Sequence, residues 1–317
     1  MSRRTRRKRL KKRRPLWHPA LWPSWVAVGL ARLLAFLPWR AVVVLGPWVG
    51  RAYGRLNRRR RAIARINIEL CFPERSPEWR RRLLRAQFEN LGIAFLEAPY
   101  AWWSPRWRRA DPDHGFCRIH GLEHLDAALA RGKGVLLLSA HFNSPELGGR
   151  LLALHRPFVA LYRPSNNPVF DRMIRRARAQ KLEQVPRDDV RGLLRALKAG
   201  KAVWYAVDQN TARRESIFVD FFGIPASTNS ATARLARLTG AAVVPFLALR
   251  RADGSGYDLH LEPAWDDYPG DDLAADTRRV NALVERWVRA APEQYLWIHR
   301  RFRTRPNRSD PPIYPRR

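Results

Sequence analysis

The sequence predicts an α/β fold in which a mixed, mostly parallel sheet is covered by helices. Beyond residue 132, short apolar runs of strand length alternate with stretches of helical periodicity. This alternation is expected when helices cover both faces of a sheet. With 317 residues, 46% of them hydrophobic, the chain is long enough for a sizeable core and too apolar for a disordered polycation.

The individual elements follow from the apolar pattern. Residues 57–103 show helical spacing of apolar side chains. The runs at 242–250 and 257–261 flank a DGSG turn sequence and therefore predict a β-hairpin. Further strands are predicted at 134–139, 158–162 and 202–207, further helices at 189–199, 228–239 and 271–291, and a last apolar run at 295–298.

The positive charge is concentrated at the N-terminal end. The formal net charge is +32, yet the first acidic residue is Glu69, and residues 1–68 carry 19 Lys and Arg. The remaining chain has 41 basic and 28 acidic residues. Because ten of the basic residues fall within residues 3–14, we expect residues 1–15 to form a disordered basic leader.

Residues 16–56 form an apolar, Trp-rich stretch that is predicted to anchor the chain to a membrane. The most apolar window, 21–39, is about long enough to cross a bilayer. However, Arg32 lies inside it and both flanks are basic, which a single span cannot reconcile with the positive-inside rule. A membrane-embedded hairpin or an interfacial helix is therefore favoured over a clean span, with anionic lipid head groups holding the basic flanks.

The cysteine content argues against two classes of protein. Cys71 and Cys117 are the only cysteines, and there is no CxxC pair. A disulfide-stapled secreted domain is excluded on these grounds, and a zinc–cysteine site is not expected. Since the sequence also shows no nucleotide-binding loop, we expect neither a metal site nor a bound cofactor.

The segment HFNSPE at 141–146 is the most informative local feature. It follows a predicted buried strand, and open α/β sheets place ligand chemistry at the carboxyl ends of their strands. The turn at Pro145 is expected to fold Glu146 back toward the imidazole of His141. A carboxylate on one ring nitrogen raises the basicity of the other, so His141 is a candidate general base with Glu146 as its partner. A structural histidine at a strand end is the alternative.

No nucleophile of the protein is apparent beside this segment. There is no GxSxG elbow, and neither cysteine lies nearby in the sequence. If His141 acts as a base, the attacking hydroxyl is therefore expected to belong to the substrate.

Five ordered blocks of the sequence carry a resemblance to a known family. They are HFNSPELGGR (141–150), LYRPSNNPVFDRMI (161–174), VDQN (207–210), FFGIPASTNSATARLARLTGAAVVPF (221–246) and PEQYLWIHRRFRTRP (292–306). Together they resemble the lipid A biosynthesis late acyltransferases, in their lauroyl/myristoyl branch, and the block at 141–150 resembles the H-x4-D/E box of that family. The similarity runs from about residue 30 to residue 306, although the basic leader is heavier than the family leads us to expect.

The resemblance implies a glycerol-3-phosphate acyltransferase-like fold over residues 57–306, followed by a C-terminal tail at 307–317. It implies an enzyme at the cytoplasmic face of the inner membrane. Such an enzyme transfers a fatty acyl chain from acyl carrier protein to a hydroxyacyl chain of a Kdo-bearing lipid A precursor. His141 then corresponds to the general base of the family and Glu146 to its partner, and the acyl-carrier thioester serves as the donor.

Further candidate residues lie at other strand ends. Arg163 follows the next predicted strand and matches the Tyr-Arg-Pro arginine of the family, so it is a candidate oxyanion donor or else a surface ion-pair residue. Asp208 and Gln209 could bind a substrate sugar, orient a neighbour or form a structural turn. Residues 227–230 are expected to open a helix, either as a phosphate site or as its N-cap.

The basic run near the C-terminal end has two interpretations. Arg300, Arg301, Arg303 and Arg305 could bind phosphates, Kdo carboxylates or an acidic carrier protein, or form a solvated face. Trp297 and His299 are expected to pack or cap.

Three other functions remain open at this point. The same dyad would serve an acyltransferase acting on another membrane lipid, or a thioesterase using water. A nucleic-acid-binding protein would account for the pI near 11.6. Because the basic leader runs directly into an apolar segment, a membrane anchor is favoured, and no nucleic-acid partner is expected.

Overall fold

A computed structural model describes residues 15–104, 115–179, 182–213 and 216–315. Most of the predicted basic leader lies outside these residues. The described helices are α1 (Trp22–Leu34), α2 (Trp39–Leu56), α3 (Arg58–Cys71), α4 (Pro77–Trp103), α5 (Leu122–Ala130), α6 (Pro145–His155), α7 (Pro168–Ala179), α8 (Val190–Lys198), α9 (Ala231–Thr239) and α10 (Leu273–Ala290). The described strands are β1 (Cys117–His120), β2 (Val135–Ser139), β3 (Val159–Tyr162), β4 (Glu183–Pro186), β5 (Ala202–Ala206), β6 (Ser216–Phe221), β7 (Ile224–Asn229), β8 (Ala242–Arg250) and β9 (Tyr257–Leu261).

Seven of these strands form one mixed sheet. Its order is β1-β9-β8-β2-β5-β3-β4, and every neighbouring pair is parallel except the β8–β9 hairpin. The predicted α/β class, the mostly parallel sheet and the hairpin are thus confirmed. Strands β6 and β7 form a separate antiparallel pair.

Both faces of the central strand β2 are buried, which explains its continuous apolar sequence. Leu136 and Leu138 point into a core shared with α3, α8, α9 and α10. Val135 and Leu137 point into the opposite core, shared with α2, α5 and α6. Alternation of side chains along one strand therefore joins two helical layers.

Glycines let α2 lie directly against α4. Gly46, Gly50 and Gly54 are spaced four residues apart and buried on one face of α2. A β-carbon on Gly50 would lie 1.8 Å from the carbonyl oxygen of Phe88, and one on Gly92 would lie 2.1 Å from that of Gly46. The two backbones approach so closely that no side chain fits between them.

The N-terminal segment is divided into two helices. The apolar window at 21–39 is split because α1 ends at Leu34 and α2 begins at Trp39. The indole of Trp39 donates to the carbonyl of Gly254 at 2.6 Å, which ties α2 to the β8–β9 turn. Within the described ranges, no helix combines the length and the apolar character needed to cross a bilayer.

The start of the helix predicted at 228–239 is wrong. Residues Ser227–Asn229 belong to strand β7, and α9 begins only at Ala231. Cross-strand pairing of Ser227 with Phe218 and of Thr228 with Ile217 takes precedence over the capping preference of these polar residues. The Asn229 side chain still accepts a hydrogen bond from the Ala231 amide at 2.8 Å.

Candidate active site

His141 lies just beyond the carboxyl end of β2, at the centre of the sheet. Parallel pairing sets Ser139 of β2 opposite Ala206 of β5. Two residues beyond this pair, the chains reach His141 and Asp208 respectively. The register therefore brings these two side chains together at one edge of the sheet.

His141 and Asp208 form the central contact of the site. The His141 Nδ1 lies 2.7 Å from Asp208 Oδ1, and the His141 backbone amide donates to the same oxygen at 3.0 Å. The other carboxylate oxygen accepts from the Tyr295 hydroxyl at 3.0 Å. Because an ionised carboxylate only accepts, Nδ1 carries a proton and Nε2 is left as the basic nitrogen of the neutral ring.

The charges of this pair stabilise one another. Burial raises the pKa of Asp208, but the charge of His141 and hydrogen bonds from His141 and Tyr295 outweigh burial and lower it to about 2. For His141, burial has the opposite effect and lowers the pKa. The charge of the Asp208 carboxylate and its hydrogen bond outweigh the effect of burial, so the pKa of His141 is raised above its usual value. The His141 side chain is 28% exposed, whereas that of Asp208 is 3% exposed. The arrangement is a reachable imidazole backed by a buried carboxylate.

The segment that follows α10 holds the histidine loop in place. The Leu296 amide donates to the His141 carbonyl at 3.0 Å, and the Asn143 amide donates to the Gln294 carbonyl at 2.8 Å. The predicted apolar run at 295–298 thus lies along this loop and supplies Tyr295 to the site. Its hydroxyl was missed in the sequence because no local pattern marks one tyrosine among apolar neighbours.

His299 packs and accepts a hydrogen bond beside the same site. Its Nε2 accepts from the Asn210 amide at 3.0 Å. Burial is the main cause that lowers the pKa of His299 to about 4, so the ring is neutral near pH 7. A neutral acceptor fixed by a backbone amide fits the structural role expected for this residue.

Glu146 lies in the first turn of α6, and its hydrogen bonds differ from the expected ones. The carboxylate forms an ion pair with Arg178 of α7, with Nε at 3.1 Å, and accepts from the Trp102 indole at 2.8 Å. Pro145 starts the helix immediately, so Glu146 is directed toward α4 and α7. The carboxylate on His141 Nδ1 is that of Asp208. The expected fold-back of Glu146 onto the imidazole is thus corrected.

A buried polar network contacts the loop that follows His141. Glu97 of α4 accepts from Arg250 at 3.0 Å, from Ser144 at 3.1 Å and from the Tyr257 hydroxyl. The Glu97 and Arg250 side chains are 1% and 3% exposed. Burial raises the pKa of Glu97 to about 7 against the opposing effects of Arg250 and the two hydroxyls. Ser144 ties this network directly to the segment between His141 and Glu146.

The other predicted residues lie around this centre. Arg163 follows β3 and is exposed. Because β5 separates β3 from β2, the two strand ends are about 10 Å apart. No hydrogen bond or ion pair between described residues joins Arg163 to His141. Gln209 directly follows Asp208 and is half-buried.

The basic run near the C-terminal end is not a uniform surface. Arg301 is 2% exposed and donates to the Ser227 carbonyl at 2.9 Å and to the Thr228 hydroxyl at 2.7 Å. It therefore holds β7 in place from inside the fold. Arg303, in contrast, is exposed.

In the residues that the structure covers, no group of three or more His, Cys, Asp or Glu side chains is arranged to hold a metal ion. The chemistry that the geometry does offer is proton transfer by a carboxylate-backed imidazole. Such a group can activate a hydroxyl for attack on a carbonyl carbon.

The relatives of the chain are acyltransferases by name. The family described as bacterial lipid A biosynthesis acyltransferase matches residues 9–304. The chain is 38% identical to the lipid A biosynthesis lauroyltransferase of Escherichia coli (strain K12), over 92% of this chain and 94% of that protein. It is 39% identical to the lipid A biosynthesis palmitoleoyltransferase of the same strain, over 92% of this chain and 95% of that protein. It is 29% identical to the lipid A biosynthesis myristoyltransferase of Escherichia coli (strain K12), over 91% of this chain and 89% of that protein.

The chain therefore belongs to the bacterial lipid A biosynthesis acyltransferase family. It is an acyltransferase of lipid A biosynthesis, as the resemblance of its five sequence blocks implied.

Proposed function

We propose that the chain transfers a fatty acyl group from acyl carrier protein to a hydroxyacyl chain of a Kdo-bearing lipid A precursor. The observation that carries this proposal is the 2.7 Å contact between His141 and the buried Asp208. The contact leaves Nε2 as a base on a partly exposed ring, beside which a substrate hydroxyl can be activated.

In the proposed mechanism, Nε2 of His141 removes the proton from the 3-hydroxyl of the substrate. At the same time the hydroxyl oxygen attacks the carbonyl carbon of the thioester. The resulting oxyanion collapses, the carbon–sulfur bond breaks, and the thiolate of the carrier takes the proton from the imidazolium. Asp208 stabilises that imidazolium, since the carboxylate charge favours the protonated ring. Arg163 remains the candidate for stabilising the oxyanion, and Gln209 a candidate for substrate contact.

Glu146 has a supporting role in this proposal. Its bonds to Arg178 and Trp102 join the start of α6 to α7 and α4. Loss of the carboxylate would leave the Arg178 guanidinium without its partner and loosen the helix that follows His141. Glu146 is thus proposed to keep His141 in place by fixing the start of α6.

We further propose that the N-terminal helices bind the cytoplasmic face of the inner membrane. Large apolar side chains, which soluble surfaces seldom expose together, are concentrated there. They are Trp17, Trp22, Trp25, Val26, Leu30, Leu33, Phe36, Val44, Leu45, Trp48, Val49 and Leu56. In the sequence, arginines lie on both sides of this segment, and such residues suit anionic lipid head groups. The division into leader, anchoring segment, acyltransferase domain and tail is part of the same proposal.

The test is an acceptor panel with one labelled acyl carrier protein donor. The acceptors are the Kdo-bearing precursor, the precursor without Kdo, a glycerophospholipid and water alone. We expect transfer to the Kdo-bearing precursor and its loss in His141→Ala, with the matched variant His155→Ala at the end of α6 as control. Full activity of His141→Ala would contradict the mechanism, and preference for another acceptor would contradict the substrate.

A further inference from the structure

A groove walled by arginines lies between α2, the start of α3 and the first half of α4. Its volume is about 340 Å³, and its buried lining residues are Gly54, Leu84 and Phe88. Trp48 and five arginines form the rest of the lining: Arg51, Arg55, Arg61, Arg81 and Arg85. A second depression of about 230 Å³ shares Arg81 and Leu84 with the groove. The two depressions thus adjoin along α3 and α4.

Carboxylates neutralise only part of this charge. Arg51 and Arg85 share one carboxylate, that of Glu89, at 2.6 and 2.9 Å. Arg81 pairs with Glu78 at 2.5 Å on the open surface. Two carboxylates therefore serve three of the five guanidinium groups.

Arg55 and Arg61 complete the surplus of positive charge. Neither has a carboxylate within 4.0 Å among the described residues, although both line the groove. Among the described residues, five guanidinium groups and two carboxylates thus leave a surplus of three positive charges around one concave site. Guanidinium groups bind phosphate oxygens through paired hydrogen bonds, so a phosphate is the anion that such walls suit.

The sequence of α2 adds an apolar half to the site. Val44, Trp48, Arg51 and Arg55 follow one another at four-, three- and four-residue spacing and so share one face of the helix. Val44 and Trp48 are 64% and 65% exposed, and the Arg51 guanidinium lies 4.9 Å from the centre of the Trp48 ring. Along about 16 Å of helix, the face changes from apolar to cationic with a tryptophan at the boundary.

We propose that this groove binds the head-group phosphate of an anionic glycerophospholipid of the surrounding membrane, with its acyl chains against Val44 and Trp48. The proposal rests on the proposed membrane association and deepens it into a site. Tryptophan at an apolar–polar boundary is typical of the membrane interface. An acidic protein partner would satisfy the arginines but would leave the exposed apolar part of α2 uncovered. Among the described residues, no hydrogen bond or ion pair joins the arginines of the groove to His141, Asp208 or Tyr295. The proposed lipid is therefore distinct from the reacting one.

The test measures vesicle binding by the full-length protein. Vesicles of phosphatidylcholine alone are compared with equimolar phosphatidylcholine and phosphatidylglycerol, in a co-sedimentation titration. The groove variant is Arg55→Gln with Arg61→Gln. The matched control is Arg191→Gln with Arg234→Gln, two exposed arginines of α8 and α9 that remove the same charge elsewhere.

We expect the groove variant to lose roughly thirtyfold in affinity for the phosphatidylglycerol vesicles, at about fivefold per arginine near an anionic surface. The control should lose no more than about threefold, and binding to phosphatidylcholine alone should not differ between the two. Equal losses in both variants would overturn the site in favour of a diffuse electrostatic attraction. Unchanged vesicle binding with lost affinity for acyl carrier protein would overturn it in favour of a protein-docking surface.

A third variant separates this proposal from the proposed reaction. His141→Ala should bind phosphatidylglycerol vesicles as tightly as the unaltered chain while losing acyl transfer. If His141→Ala retains transfer, the mechanism fails and the groove is unaffected. If the unaltered chain shows no preference for phosphatidylglycerol over phosphatidylcholine, the groove proposal fails and the mechanism is unaffected.

Discussion

Replacement of Asp208 by asparagine should separate the effect of the carboxylate charge beside His141 from the effect of the side-chain shape. An asparagine side chain is close in size, and its oxygen can still accept from Nδ1 and from the His141 amide. What the variant removes is the negative charge 2.7 Å from Nδ1. The substitution therefore tests whether the carboxylate acts by electrostatics.

The stability effect can be worked out from the pKa of Asp208, which is lowered from 3.8 to about 2. At ~1.4 kcal/mol per pH unit, the ionised carboxylate contributes about 2 kcal/mol to folding. Because the folded pKa lies below the unfolded one, this contribution is present above about pH 4 and is lost as the pH falls through about 2.

The deprotonation of His141 sets the upper pH limit of the stabilisation that the His141–Asp208 pair provides. The pKa of His141 is raised in the folded state. The stability that the protonated ring contributes is therefore present below about pH 6.5 and is lost as the pH rises through the pKa of the folded state. The cost of Asp208→Asn should therefore be greatest, at about 2 kcal/mol, between about pH 4 and pH 6.5. Denaturant unfolding across a pH series measures it.

Activity should change in two ways in the same variant. We expect kcat/KM to fall on the order of 10²-fold or more, because the imidazolium that forms during proton transfer loses its counterion. The acidic limb of the pH–rate profile should move to lower pH, since the carboxylate that raises the pKa of His141 is gone. Asp258→Asn is the control, as Asp258 pairs with Arg251 away from the site. Activity within threefold of the unaltered chain, or a stability cost independent of pH, would refute the reasoning.

Three further variants probe the surroundings of the site. Tyr295→Phe removes the donor to Asp208 at 3.0 Å and should lower kcat/KM by about tenfold, with near-ultraviolet circular dichroism unchanged; an unaltered rate would argue against the hydroxyl. Glu97→Ala leaves its arginine partner buried and unpaired and should cost about 3–5 kcal/mol in urea unfolding, against less than about 1 kcal/mol for the exposed Glu123→Ala. Gly50→Ala places a β-carbon 1.8 Å from a backbone oxygen of α4 and should cost about 1–3 kcal/mol, whereas Gly29→Ala, with no atom within 4 Å of its β-carbon, should stabilise α1 by about 0.5–1 kcal/mol. Equal melting temperatures for the two glycine variants would contradict the packing argument.

The sheet could be predicted because its central strands carry their own signal. Strand β2 is buried on both faces, so its first four residues, Val135–Leu138, form an unbroken apolar run ahead of the buried Ser139. Strand β4 (Glu183–Pro186) lies at the sheet edge and has one buried residue, which leaves no such run to detect. The β6–β7 pair was missed for a similar reason, because two buried positions of β7 are the polar residues Ser227 and Thr228, and Arg301 donates to the Ser227 carbonyl and to the Thr228 hydroxyl.

The position of His141 at a strand end could be predicted, but its carboxylate partner could not be assigned. His141 and Glu146 are close in sequence, and a local turn offered a simple way to join them. Asp208 is 67 residues away from His141, and only the register of β2 against β5 places it beside the ring. The interpretation that Asp208 orients a neighbour was one of three that the sequence left open.

The net charge of +32 overstates the surface that this chain offers to anions. Arg250 and Arg301 are both at most 4% exposed and bind partners inside the fold, so neither is available to a ligand. Others, such as Arg51 and Arg85, share a carboxylate. An anion site therefore cannot be located by counting arginines along the sequence. It requires the three-dimensional position at which helices α2, α3 and α4 bring more guanidinium groups together than nearby carboxylates can neutralise.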